Sequence, residues 1–153
     1  MGQVEAAAPE GHRIPRKTFA ARFSLGERYG LNSEGDVSMQ YILGIDLGGS
    51  SIKAVSVTPE GHLLAEANVP FVDRDREWAH KLRVLVGDFA KQHGAPAMSI
   101  GIAAPGLAAR DGRSIAHLPG RLMGIEGLDW TEWLGSAQPI PVLNDAHAAL
   151  LGE

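Results

Sequence analysis

The hydrophobic period of the chain changes once between residues 41 and 94, and that change limits the folds open to it. Tyr41-Ile-Leu-Gly-Ile-Asp46 is a short apolar run ending in a carboxylate. Gly48-Gly49-Ser50-Ser51 interrupts it, a β-rich segment runs from Ile52 to Val57, Pro59-Glu60-Gly61 interrupts that, and Leu63 to Val69 follows. These are three strands joined by tight turns. Then Trp78, Leu82, Leu85, Val86 and Phe89 fall at intervals of four, seven, eight and eleven, one face of a helix. Asp73 is positioned to cap its start, and Gly94 with Pro96 to end it. Met98 to Ala103 reads as a further strand, Trp130 to Leu134 as a short helix, Ile140 to Leu143 as a strand and Ala146 to Leu151 as a helix. The order βββαβαβα predicts an α/β fold, a mixed sheet with helices on it.

Composition narrows the class further. The 153 residues, 44% of them hydrophobic, suit about one domain with a core of its own. Aromatic residues are only 6%, so that core is expected to be mostly aliphatic. There is no cysteine, which excludes a disulfide scaffold or a thiolate metal site within these residues. The net charge of −4 argues against a broad nucleic-acid surface, and no apolar stretch reaches the ~20 residues of a membrane span. The first forty residues differ from the rest. They hold five basic and five acidic side chains and no sustained period. They read as a poorly ordered tail, or as an over-extended start ahead of Met39. They lack the unbroken apolar run of a secretion signal.

Three motifs carry chemistry. The first is Asp46-Leu-Gly-Gly-Ser-Ser-Ile-Lys53, at a strand–turn–strand corner. Gly48 and Gly49 let backbone N–H groups approach an anion, Ser50 and Ser51 add hydroxyls, and Lys53 adds positive charge. Asp46 is placed to hold a hydrated Mg²⁺ beside phosphates. The corner is neither a Walker A loop nor a dinucleotide fingerprint, because the required Lys-Ser/Thr and Gly-x-Gly-x-x-Gly are absent. An ordinary Gly-Gly hairpin explains it equally well. The second motif, Gly101-Ile-Ala-Ala-Pro-Gly106, is a strand stopped abruptly, with free backbone groups at its end. The nearby Ala116-His117-Leu118-Pro119-Gly120 presents a histidine able to bond a sugar hydroxyl. The third is Val142-Leu-Asn144-Asp145-Ala-His147, where a strand passes into a helix. A carboxylate there can take a proton from a hydroxyl, and Asn or Asp there can equally cap the helix.

In this order and spacing the motifs resemble the ROK family of sugar kinases and sugar-responsive repressors, over essentially all of 41–153. The resemblance implies the N-terminal lobe of a two-lobed actin-like ATPase (ribonuclease H-like) fold, with sugar and nucleotide in the cleft. It implies that Asp46, Gly48, Gly49, Ser50 and Ser51 form a phosphate loop for ATP with Mg²⁺. It implies that Gly106, His117 and Asn144 line the sugar site, with Asp145 as the general base. The expected activity is phosphoryl transfer from ATP to a hexose, glucokinase first, in the cytoplasm, with no membrane or nucleic-acid partner. There are departures. Gly-Gly-Ser-Ser replaces the usual Gly-Gly-Thr-Lys or Gly-Gly-Thr-Asn, and a Gly-Gly-Ser loop also occurs in polyphosphate-using glucokinases of the family. His117 and His147 stand where Asn is usual. Family chains are about twice as long. The half beyond residue 153 would carry the zinc motif, further sugar ligands and most of any homodimer contact. These residues alone are therefore expected to be inactive, as a fragment, a truncated product or the remnant of a degraded gene. The alternative within the family is the sugar-sensing domain of a repressor. Residues 1–40 are too short for the winged helix of such a protein and lack its periodicity.

Overall fold

A computed structural model describes residues 29–31 and 37–152. Most of the tail expected over 1–40 lies outside the described residues. Within it, β1 (Tyr29–Leu31) and β2 (Val37–Met39) pair antiparallel. The main sheet is built from β3 (Ile42–Leu47), β4 (Ser51–Val57), β5 (Leu63–Pro70), β6 (Ser99–Ala104) and β9 (Val142–Asn144), in the order β5-β4-β3-β6-β9. The first three are an antiparallel meander, as the short turns require. β6 and β9 join parallel to β3 through longer crossovers. A small hairpin, β7 (Leu107–Ala108) with β8 (Ile115–His117), sits between β6 and β9. Its strands are too short for a period to mark them in the sequence.

Alternation in β3 buries Leu43, Ile45 and Leu47, and alternation in β4 buries Ile52 and Ala54. The helix α1 (Glu77–His93) covers that face with Trp78, Ala79, Leu82, Leu85 and Phe89. Burying each large side chain is worth about 1.5–3 kcal/mol. α1 ends at Gly94, whose φ of 76° is the left-handed conformation a terminating glycine supplies. Its start differs from the sequence expectation. Arg76 is the N-cap residue, with φ 59° and no side-chain cap bond. Asp73 lies three residues earlier, and its Oδ2 accepts from the Leu122 N–H at 2.9 Å. A carboxylate that close to a helix start can satisfy any nearby orphan N–H, and here the partner is a distant loop.

The short helix α2 (Trp130–Leu134) is capped by Asp129, whose Oδ1 accepts from Thr131 and Glu132. The hydrogen bond from the Glu132 N–H first, with Arg113 and the Thr131 N–H, holds the Asp129 carboxyl below its ordinary range and outweighs the opposing effect of burial. Trp130 and Trp133 bring α2 onto Trp78, with ring centroids 5.9 and 6.2 Å from it. The final helix α3 (Asp145–Leu151) begins one residue earlier than the sequence suggests, capped by Asn144. No helix among the described residues is long and apolar enough to cross a membrane.

Candidate functional site

The parallel strands bring the three motifs to one end of the sheet. β3 and β6 pair Asp46 with Ala103, and β6 and β9 pair Ala104 with Asn144. Strands are spaced ~4.8 Å apart, so Asp46 and Asn144 stand about 10 Å from each other across β6. Ligand crevices of α/β sheets form at such carboxyl ends.

The second and third motifs are bonded directly. Asn144 donates from Nδ2 to the Gly106 carbonyl at 2.8 Å, and its Oδ1 accepts from Ala146 N–H at 3.0 Å. One side chain therefore caps α3 and pins the loop after β6. Gly106 has φ 101°, and a Cβ on it would lie 2.7 Å from the His117 carbonyl oxygen. The glycine is required both by its backbone and by the close passage of β8. His117 itself is exposed, with Nδ1 3.3 Å from the Glu126 carboxylate, an ion pair when the ring is protonated. Glu126 also accepts from the Leu118 N–H. The Asp145 side chain is exposed, and its Oδ1 accepts from Ala146 N–H at 2.8 Å, leaving Oδ2 without a partner among the described residues.

The first motif is a tight corner between β3 and β4. Gly48 N–H donates to the Ser51 carbonyl at 2.9 Å, and Phe71 N–H donates to the Ser50 carbonyl at 2.9 Å. Among the described residues the Gly49 and Ser50 amides spend no bond on another backbone group. Asp46 is half-buried, and Lys53 stands directly opposite it on β4, on the same face of the sheet. Lys53 is exposed and lies on the strand rather than in the loop, and no ion pair joins the two.

Two features escaped the sequence reading. One is Arg121, whose guanidinium lies against Gly49: a Cβ there would be 1.6 Å from Nη2. The other is the lock on the 118–124 loop. Asp73 holds Leu122, Arg76 lies over Gly124, and Asp75, Arg76 and Leu122 all carry positive φ values of 51°, 59° and 47°. Such conformations cost on the order of 1–3 kcal/mol each in a residue with a side chain. A cavity of about 540 Å³ is lined by Asp73, the 118–124 loop and Glu126. Nothing in the local sequence marks Arg121, since its role depends on a contact 72 positions away in the chain.

Among the described residues no three His, Asp or Glu side chains cluster as a metal cage. A hydrated Mg²⁺ needs no such cage. It takes one or two carboxylates and completes its shell with water and phosphate oxygens, so an Asp46 carboxylate free of ion pairs fits it.

Protein-family models give no match to the chain, and neither do curated proteins. Solved structures do. A candidate sugar kinase of Cytophaga hutchinsonii is 31% identical, with a TM-score of 0.61, over 74% of this chain and 38% of that one. A ROK family glucokinase from Streptomyces griseus, solved with glucose and AMPPNP, is 23% identical with a TM-score of 0.60, over 74% of this chain and 36% of that one. A ROK family transcriptional regulator, homologous to the E. coli MLC protein, is 19% identical with a TM-score of 0.62, over 74% of this chain and 30% of that one. The chain thus spans well under half the length of each. Its fold is that of one lobe of the actin-like ATPase architecture found in ROK proteins, shared by kinases and a regulator alike.

Proposed function

We propose that the chain is the N-terminal lobe of a ROK-family sugar kinase, glucokinase-like, which transfers a phosphoryl group from ATP to a hexose hydroxyl. The observation that carries this reading is the Asn144 bridge. It ties the Gly106 loop to the start of α3, so Asp145 is held at the end of β9 across β6 from Asp46.

In this reading Asp145 accepts the proton of the attacking hydroxyl on Oδ2 while Oδ1 is held by the Ala146 N–H. The hydroxyl oxygen attacks the terminal phosphorus in line and the nucleoside diphosphate leaves. The transition state is loose, so placement of the hydroxyl contributes more than base strength. Asn144 has one N–H and one lone pair left after its two internal bonds, enough to orient a sugar hydroxyl. Gly106 and His117 form the wall beside it. Gly48, Gly49, Ser50 and Ser51 receive the phosphates, with Lys53 adding positive charge from the strand. Asp46 would hold Mg²⁺, which would neutralise charge on the phosphate oxygens.

The second lobe would close the cleft and carry the zinc motif expected of the family. The 153 residues alone are expected to show no turnover, because a base without the other wall of the donor site has nothing in line to act on. In a form carrying the second lobe, Asp145→Ala should cut glucose-dependent ADP release by at least ~100-fold while leaving glucose binding nearly unchanged. Mutant and parent phosphorylating glucose at similar rates would refute the role of Asp145. Glucose binding with no turnover in the parent would favour the sugar-sensing reading instead.

A further inference from the structure

The Gly-Gly-Ser-Ser corner lacks the basic or amide side chain that often follows Gly-Gly-Thr, and the structure brings another cation to it. Arg121 reaches back from the loop after Leu118-Pro119-Gly120, and its guanidinium lies where a Cβ on Gly49 would be, 1.6 Å from Nη2 and 2.9 Å from Cζ. Only glycine leaves room for this contact. The side chain is exposed, and it makes no ion pair or hydrogen bond among the described residues. Two carboxylates that line the same cavity as Arg121 are already engaged. Asp73 accepts from Leu122 and Glu126 accepts from Leu118 while facing His117.

The corner therefore gathers positive charge and donors with nothing to receive them. Among the described residues the Gly49 and Ser50 amides have no backbone acceptor and the Ser50 and Ser51 hydroxyls have no partner, and the planar guanidinium brings five N–H groups. A guanidinium matches phosphate oxygens two at a time, which an ammonium cannot do. The backbone that carries it is locked by the Asp73–Leu122 bond and by Arg76 over Gly124, which limits where the cation can reach.

We infer that Arg121 is a ligand of the phosphoryl donor, closing the Gly48–Ser51 loop over a polyphosphate chain in place of a lysine within the loop. This rests on the phosphate-loop part of the proposed function and adds the residue that reads the donor. The chemistry recognised is a run of phosphates, which either a nucleoside triphosphate or inorganic polyphosphate supplies.

The test is isothermal titration of the chain with inorganic tripolyphosphate and, separately, with ATP, both with Mg²⁺. Parent, Arg121→Gln, Arg121→Lys and Lys91→Gln are compared. Lys91 is an exposed cation near the end of α1 and controls for net charge. The expected result is a loss of about tenfold or more for Arg121→Gln, an intermediate loss for Arg121→Lys, and less than about twofold change for Lys91→Gln. Arg121 dependence with both ligands means the phosphates alone are read. Dependence with ATP only assigns the contact to the nucleotide. If the parent binds and Arg121→Gln binds equally well, the role of Arg121 is overturned and the phosphate loop stands. If the parent binds neither ligand, both are overturned. Tryptophan fluorescence during urea unfolding checks that each variant keeps the fold.

Discussion

Replacing Gly106 with alanine tests the geometry that joins the second and third motifs. Two costs add. The backbone stands at φ 101°, where a residue with a Cβ is strained by roughly 1–2 kcal/mol. The new methyl would also meet the His117 carbonyl oxygen at 2.7 Å, Ile115 Cγ2 at 2.9 Å and Leu118 Cβ at 3.0 Å. The first of these is backbone and cannot swing aside, so overpacking adds about 1–3 kcal/mol. The total is roughly 2–5 kcal/mol. Gly61 separates the two terms. Its φ is 88°, with nothing within 4 Å of a Cβ. Gly61→Ala should therefore cost only the backbone part, roughly 1–2 kcal/mol. The assay is urea unfolding followed by tryptophan fluorescence, since Trp78 and Trp130 are both fully buried. With a slope of about 1.5 kcal/mol per molar, Gly106→Ala should lower the midpoint by about 1.5–3 M and Gly61→Ala by about 1 M. Midpoints for the two variants within about 0.3 M of each other, at equal slopes, would show that β8 does not pass against Gly106 as described.

Two further outcomes follow from other contacts. Asn144→Ala removes both the cap of α3 and the bond to the Gly106 carbonyl, and should cost about 1–3 kcal/mol in the same assay, whereas Asn144→Asp keeps the acceptor for Ala146 and loses only the donor, for about 1 kcal/mol; an unchanged midpoint for Asn144→Asp would mean that the Gly106 bond contributes nothing. His93 sits beneath Tyr41 with Nε2 3.0 Å from Ser56 Oγ, and burial holds its pKa below the ordinary 6.5. The unfolded chain then takes the proton more readily than the folded one, so this contribution is complete above about pH 6.5 and is lost as pH falls below it. His93→Gln should therefore narrow the gap between unfolding midpoints at about pH 5.5 and about pH 7.5, and an unchanged gap would sink the assignment.

Tyr41 shows the same burial from the other side. Loss of solvent pushes its hydroxyl up to about 12, so it stays neutral wherever the fold survives, and His93 titrates without a charged neighbour at that ring.

Much of this fold is legible in the residues themselves, for local reasons. The alternation through Leu43, Ile45 and Leu47, the turn at Gly48-Gly49, and the spacing from Trp78 to Phe89 each specify an element, because side chains repeat every two residues in a strand and every 3.6 in a helix. Gly94 ends α1 as the sequence implies, because a left-handed terminus is a local demand for glycine. The hairpin of β7 and β8 escapes such reading, because two and three residues cannot establish a period.

Residue type and spacing likewise single out Asp46, Gly106, Asn144 and Asp145 as candidates for chemistry. What no local rule contains is who meets whom. Asp73 looks like a cap for the helix that follows it and is instead the anchor of Leu122, 49 residues on. Arg121 looks like one more loop cation and lies on Gly49. Asn144 reads as a helix cap and is one, yet the fold also makes it the tie to Gly106. Residue type and periodicity determined the main strands, the helices and the set of candidate groups. Only the parallel register of β3, β6 and β9 decided that those groups share one end of the sheet. That register is a property of long-range burial, which favours the one pairing that covers every apolar face at once.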